Sequence, residues 1–404
     1  MRQFFALLFT LIFLSTNAQM RSSELVLAKL PETFSKKEQG KSVVAEKGIT
    51  PAASFAAAAP QSKELKIVIV TLDGYRWQEE FGGVSKLLQK RLFKDPKFDK
   101  DFASKITVGT REEKRKALMP FMWSTIAEKG IIIGNRRHGN RLTVHNPFFF
   151  SYPGYSELFC GYVDKKVNSN SHPDNQNLNL FDFLLQDDYY KNSIAAFGNW
   201  DAFPKILNAN RNHIPVFHTY SSKPGITSAP PLSSFEQFQT KAPLVSTYAE
   251  KDTIVYQHAK EYLVRNHPKA FFIGFDETDH FGHSGNYPAY VMAAYQSDVW
   301  LNDLWNTLQA DPFYKDQTIL IVTCDHGRGA ATLNMWRHHG QGIVASRCTW
   351  LAAIGPGVKT VGEAKHRKHY HHDQIAATIS QLLGKDFNST NPRIGKSIEE
   401  VIEK

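Results

Sequence analysis

Residues 318–329 read TILIVTCDHGRG, an aliphatic and β-branched run that stops at Asp325-His326. An unbroken apolar run of this length predicts a strand covered on both faces, as in a parallel sheet. Taken alone, Asp325 reads equally well as a cap for the next helix, with His326 on the surface. The rest of the chain repeats the pattern. LKIVIVTLDGYRW (65–77) carries a strand that ends at Asp73-Gly74, and AFFIGFDETDHFGHSG (270–285) runs from a strand into Asp276 and Asp279. IIIGN (131–135), SIAAFGNW (193–200) and WLAAIGPG (350–357) read as further strands. Helical spacing fills the intervals, notably at 287–309 and 373–384. Strands alternating with amphipathic helices imply an α/β three-layer sandwich with a mainly parallel central sheet. No internal repeat is visible. In such folds ligands bind beyond the carboxyl ends of the strands.

The composition fits a large globular core: 42% of the 404 residues are hydrophobic and 22% are charged. Net charge is +9, spread over KRLFKDPKFDK (90–100), TREEKRK (110–116) and KHRKHYHH (365–372). This reads as a solvated surface with a bias toward anionic substrates. No basic helix interleaved with aromatics stands out, so no specific nucleic-acid partner is expected. Cys160, Cys324 and Cys348 are too few for a disulfide framework; Cys160 and Cys324 read as buried thiols.

Arg2, the apolar stretch FFALLFTLIFL and the small residues Thr16 and Ala18 form a signal-peptide pattern over residues 1–18. A linker with the Ala- and Pro-containing stretch 48–64 follows over 19–64, then one catalytic domain over 65–404, with a small cap around 200–245. Later segments lack the roughly 18 consecutive apolar residues of a membrane span. The expectation is a secreted or periplasmic protein without a membrane span after cleavage.

The strand ends carry the chemistry. Asp73, Asp279 and Asp325 bring three carboxylates to one sheet edge, and His283 (four residues after Asp279) and His326 bring imidazoles. His339, in RHHGQ (337–341), is a further donor. Each residue alone is a weak signal. Together, three like charges cost several kcal/mol unless cations neutralise them. A two-metal cluster answers that cost. Mixed carboxylate and imidazole donors suit zinc, with other divalent metals as alternatives. Two metals about 4 Å apart serve an in-line displacement, which needs a nucleophile. Ser151, in NPFFFSYPGYSELFCGY (146–162), stands two residues before Pro153 where a helix begins. In isolation it would be a plain N-cap.

The motifs VTLDGYRW, FSYPGYSELFCG, ETDHFGHSG, VTCDHGRG and HHGQ, in this order over nearly all of 65–385, resemble the alkaline phosphatase superfamily. They most resemble its type I phosphodiesterase/nucleotide pyrophosphatase branch. The resemblance implies that Asp73, Asp325, His326 and the Ser151 hydroxyl hold one zinc, and Asp279, His283 and His339 a second. His338 competes with His339, and His371 and His372 are weaker alternates. Asn170 would contact phosphate, with Asn168 as competitor. Gly154-Tyr155 stand where that branch has Asn-His, and the C-x-P-S-R stretch of formylglycine sulfatases is absent. The implied activity is an exported two-zinc phosphoric ester hydrolase, a phosphomonoesterase or phosphodiesterase, acting on small molecules through a covalent phosphoserine. The alternatives are a phosphotransferase or phosphosugar mutase on the same scaffold, or a catalytically dead zinc-dependent binding protein. Arg76, Arg328 and Arg337 would suit a monoester; Phe148, Phe149, Phe150, Tyr152, Tyr155 and Trp200 would wall a diester's second group.

Overall fold

The computed structural model describes residues 64–218, 243–246, 248, 251–329 and 334–403. The expected signal segment, nearly all of the expected linker, and residues 219–242 of the expected cap lie outside these. Within the unit Pro60–Lys404, the strands are β1 (Lys66–Leu72), β2 (Gly130–Ile133), β3 (Asn140–Thr143), β4 (Ile194–Gly198), β5 (Val216–His218), β6 (Ala270–Phe275), β7 (Thr318–Thr323), β8 (Cys348–Thr349), β9 (Leu351–Ile354), β10 (Gly362–Glu363) and β11 (Lys368–His371). The main sheet has the order β10-β2-β9-β7-β1-β6-β4-β5, and a small sheet has the order β11-β3-β8. In the main sheet β9 alone runs against its neighbours, pairing antiparallel with β2 and β7. Residues 203–218, within the expected cap, form two short helices and the edge strand β5 of the main sheet.

Alternation along the central strands divides the core into two layers. Val68, Val70, Leu72, Ile273, Phe275, Leu320 and Val322 pack on one face with the helices Lys251–Asn266 and Tyr287–Ala310. Ile67, Ile69, Phe272, Ile319 and Ile321 pack on the other with Ser151–Cys160 and Ile375–Leu382. The sheet is covered twice, which explains the continuous apolar strands. This is the expected three-layer α/β sandwich.

Register then positions the site. Parallel pairing sets Leu72 beside Phe275 and Thr71 beside Thr323. The next residues of β1 and β6 are Asp73 and Asp276, and Asp325 follows Cys324 beyond β7. Three adjacent strands therefore release carboxylates side by side, and the Asp73 amide still donates to the Phe275 carbonyl at 2.8 Å.

Below this edge, Gly198 and Gly274 are register partners. A Cβ at Gly198 would meet the Phe203 ring at 2.4 Å, and one at Gly274 would meet it at 2.6 Å. The twin glycines thus make room for the Phe203 ring, which also meets Tyr155 edge-on at 5.0 Å. Phe203→Ala is expected to cost ~3–5 kcal/mol in equilibrium denaturant unfolding, the scale of truncating a buried aromatic ring. A loss under ~1 kcal/mol would show that this packing is not needed.

Candidate metal centre and active site

Ser151 is the first residue of the helix Ser151–Cys160, and the preceding Phe150 is extended. The loop before it is held by buried Glu157. Its carboxylate accepts from the His145 and Asn146 amides, both at 2.7 Å. Asn146 in turn accepts from the Phe148 and Phe149 amides at 2.9 and 3.1 Å. Phe149 has φ 55, a left-handed conformation that is costly for a large side chain and is characteristic of functional loops. Its carbonyl accepts from His339 Nδ1 at 3.3 Å.

Asp73, Asp325, His326 and Ser151 converge. His326 Nε2 lies 3.5 Å from Asp73 Oδ1, 3.2 Å from Asp325 Oδ2 and 3.2 Å from Ser151 Oγ. His326 Nδ1 donates to the Gly327 carbonyl at 2.8 Å, which leaves a lone pair on Nε2 of the neutral ring. Burial pushes the His326 pKa down to about 4, so neutral it remains. A lone pair thus faces two carboxylates. Asp73 Oδ1 and Asp325 Oδ2 are buried and receive no hydrogen bond among the described residues. Three acceptors aimed at one point, with a hydroxyl beside them, fit a divalent cation.

Asp279, His283 and His339 form the adjoining set. His283 Nε2 is 3.0 Å from Asp279 Oδ2 and 2.8 Å from His339 Nε2, which is 3.6 Å from Asp279 Oδ1. The His326 and His339 rings stack at 4.1 Å, so the two sets share a wall. Donor atoms of Asp279, His326 and His339 all lie within 4.8 Å of one another, as do those of Asp73, Asp325 and His326, while His283 joins through its contacts with Asp279 and His339. His339 enters the cluster, whereas His338 is exposed and uses its carbonyl to accept from Gly329. His372 is buried behind the strand end and donates Nε2–H to the Cys324 carbonyl at 2.8 Å. His371 lies on β11 in the small sheet.

Crowding sets the charge state. Burial, then Asp325, Asp279 and Asp276, raise Asp73 well above the usual carboxylate range. Burial pushes Asp325 up to about 8, and burial with Asp279 pushes Asp276 up to about 7. Burial acts on Asp279 in the same direction, but the Arg328 guanidinium and the His283 hydrogen bond outweigh it and hold this carboxyl well below its usual range.

Several supporting contacts carried no signal in the sequence. Arg328 is fully buried, pairs with Asp279 and donates to the Trp336 and Arg337 carbonyls. Tyr155, in the position that departs from the diesterase pattern, donates to Asp73 Oδ2 at 3.1 Å. A Cβ on the adjacent Gly154 would sit 2.5 Å from the Asp325 carbonyl oxygen, so no larger residue fits between helix and strand end. The expected role of Arg76 and Arg328 needs correction. Arg76 is buried and paired with Glu79, and Arg328 is committed to Asp279 and two carbonyls. Of the aromatic wall, Tyr152 and Tyr155 are fully buried core residues. Trp200 lines a cavity of about 600 Å³ with Ser151, Asn170, Lys205 and Lys251. Asn170 accepts from the Tyr152 amide through Oδ1 at 2.9 Å. All three cysteines are buried and free, as expected for Cys160 and Cys324.

Residues 225–386 match a family model described as the Metalloenzyme superfamily, a span that holds Asp279, His283, Asp325, His326 and His339. The structure of the alkaline phosphatase PafA aligns with a TM-score of 0.53 at 12% identity, covering 86% of this chain and 100% of that one. A Bacteroides thetaiotaomicron structure described as a sulfatase aligns with a TM-score of 0.52 at 13% identity, covering 83% and 74%. No curated protein sequence matches the chain. The resemblance read from the motifs is met at the level of a metalloenzyme superfamily match over 225–386 and of an alkaline phosphatase-like fold, without singling out a branch. Among the described residues no helix is long and apolar enough to cross a membrane.

The crowded carboxyls give a sign to the pH dependence of the metal-free protein. Between about 6.5, above which the buried histidines are neutral in both states, and about 8, these carboxyls keep protons in the folded state that the unfolded state has lost. Stability of the chelated protein should therefore fall as pH rises through this window. Divalent metal should reduce the slope, since ligation requires ionised Asp73 and Asp325. Urea midpoints at about pH 6.5 and pH 8, with and without chelator, test this. A flat profile in chelator would contradict the charge crowding described above.

Proposed function

We propose that the chain is an exported, two-metal phosphoric ester hydrolase with Ser151 as its covalent nucleophile. The observation that carries this reading is the convergence of Ser151 Oγ and the two orphaned carboxylate oxygens on the lone pair of His326 Nε2. One ion would be held by Asp73, Asp325, His326 and Ser151, the other by Asp279, His283 and His339. The imidazole and carboxylate donors favour zinc. Such ions supply charge neutralisation at the transferring group and around the reacting oxygens.

The chain's own residues position the reactants. Ser151 sits at a helix start, where the helix dipole favours developing negative charge. Its oxygen forms a bond to phosphorus while the ester oxygen leaves as an alcohol. Water then cleaves the phosphoseryl bond and releases phosphate from a monoester, or a phosphate monoester from a diester. Asn170 is held through Oδ1, which leaves its Nδ2 donors for a phosphate oxygen. Lys205 and Lys251 supply the positive charge first sought in the arginines, and the cavity has the size of a small-molecule site. A serine nucleophile without C-x-P-S-R favours phosphate over sulfate esters. Ser151 beside a full donor set favours catalysis over a dead binding protein. Residues 1–18 are the basis for export.

Aryl phosphate mono- and diesters should both be assayed with the metal-loaded protein. Ser151→Ala should lose at least ~10²-fold in turnover, the scale of removing one principal catalytic element, and should keep most of its metal. Rapid acid quench of the wild type should trap phosphoserine. A Ser151→Ala variant with near wild-type turnover, or a quench with no phosphoserine, would remove Ser151 from the mechanism.

A further inference from the structure

The small sheet gathers positive charge that the sequence scatters over four segments. Register pairs Arg141 with His369, and Thr143 with both His371 and Cys348. These five side chains therefore share one face. Arg136 and Arg347 flank it, each close enough to act electrostatically on His369 and Cys348. Thr143 Oγ1 lies 3.0 Å from His369 Nε2 and 3.4 Å from His371 Nδ1. His145 stacks on His371 at 4.6 Å and is paired with Asp373 at 2.8 Å.

Two features call for a negatively charged occupant. Arg136 Nη1 is buried and has no hydrogen-bond partner among the described residues. The arginines act on one another: burial, then Arg141 and Arg347, lower Arg136, and only the Cys348 thiol opposes them. The imidazoles add little to the excess charge, since burial, then neighbouring imidazoles and arginines, lower both His369 and His371, with Asp373 acting the other way on His371. A buried guanidinium N–H without an acceptor is costly. Planar guanidiniums with a hydroxyl and imidazoles are a donor set for tetrahedral oxyanions. Three histidines also occur in metal sites, but the adjacent arginines repel a cation here. The groups with metal-ligand geometry among the described residues are the two around His326.

We infer that this face binds a phosphate or sulfate group, with Arg136, Arg141 and Arg347 as its charge partners and Thr143 and His369 as hydrogen-bonding partners. The face is joined to both arms of the catalytic centre through the backbone. Val144, which leads toward Ser151, donates to the Arg347 carbonyl at 2.9 Å, and Gly327, next to His326, donates to the Ser346 carbonyl at 2.6 Å. An anion here would brace the loops that carry Ser151 and His326. The group is either a free anion or an ester carried on a polymer.

Thermal unfolding of the full protein in sulfate, against sodium chloride of equal ionic strength, tests the site. Wild type and Asp325→Asn, which alters the metal centre and spares this face, should both gain about 2 °C at ten times the dissociation constant. Arg136→Gln/Arg347→Gln should lose most of that gain. Arg141→Gln, at an exposed position, serves the same purpose if the double variant does not fold. Equal gains in every variant would mark a general salt effect and overturn the site, as would no gain in wild type. A sulfated polysaccharide at matched sulfate concentration separates the two sources. At least ~10-fold tighter binding per sulfate assigns the group to a polymer, and equal binding assigns it to a free anion.

Discussion

Four carboxyl groups at one sheet edge constrain most of what surrounds them. Asp73, Asp276 and Asp325 emerge from neighbouring parallel strands because register leaves them no other place, and Asp279 follows one turn after Asp276. Like charges at this spacing in a buried site oppose ionisation. The protein answers group by group. Arg328 neutralises Asp279, the Tyr155 hydroxyl and the Gly74 amide donate to Asp73 and Asp325, and protonation covers part of the remainder. Asp73 Oδ1 and Asp325 Oδ2 stay unanswered. They point at the neutral histidine, whose lone pair meets only the Ser151 hydroxyl, and this is the strongest argument for a cation.

The same constraint explains the backbone around the site. Gly154 lets the nucleophile's helix approach the Asp325 carbonyl, and Gly74, at φ +59, turns the chain where a Cβ would strike Asp279 Oδ1 at 2.6 Å. Close approach concentrates donors, and the strain at Phe149 turns a carbonyl toward His339. Packing therefore fixes the site from below, through Phe203 and Tyr155, and from the side, through Glu157 and Asn146.

What the sequence revealed follows from which physical signals are local. Continuous apolar runs identified β1, β6 and β7, and their abrupt polar ends identified Asp73, Asp279 and Asp325. The convergence of His283, His326 and His339 followed from motif order. The reversed direction of β9 was hidden, since an apolar run carries no polarity. The short strands β3, β8 and β11 lack enough residues for a period to show. Arg328 looked available because pairing with a residue 49 positions away leaves no trace in spacing. Tyr155 read as a departure from a family pattern, and its hydrogen bond to Asp73 gives that departure a physical role.

Histidines occur in two clusters of this fold, and their surroundings give them opposite ligand preferences. Near the strand ends, His326 and His339 each direct Nδ1 at a carbonyl and leave Nε2 among carboxylates. Lone pairs and negative charge then select a cation. On the small sheet, His369 and His371 lie beside Thr143 and among arginines, with Asp373 drawn to His145. Positive charge and donors there select an anion. Composition alone places sixteen histidines and a charge of +9 in one chain. Only the strand register sorts them into two sites of opposite sign, and the loops 144–150 and 324–328 are the backbone common to both.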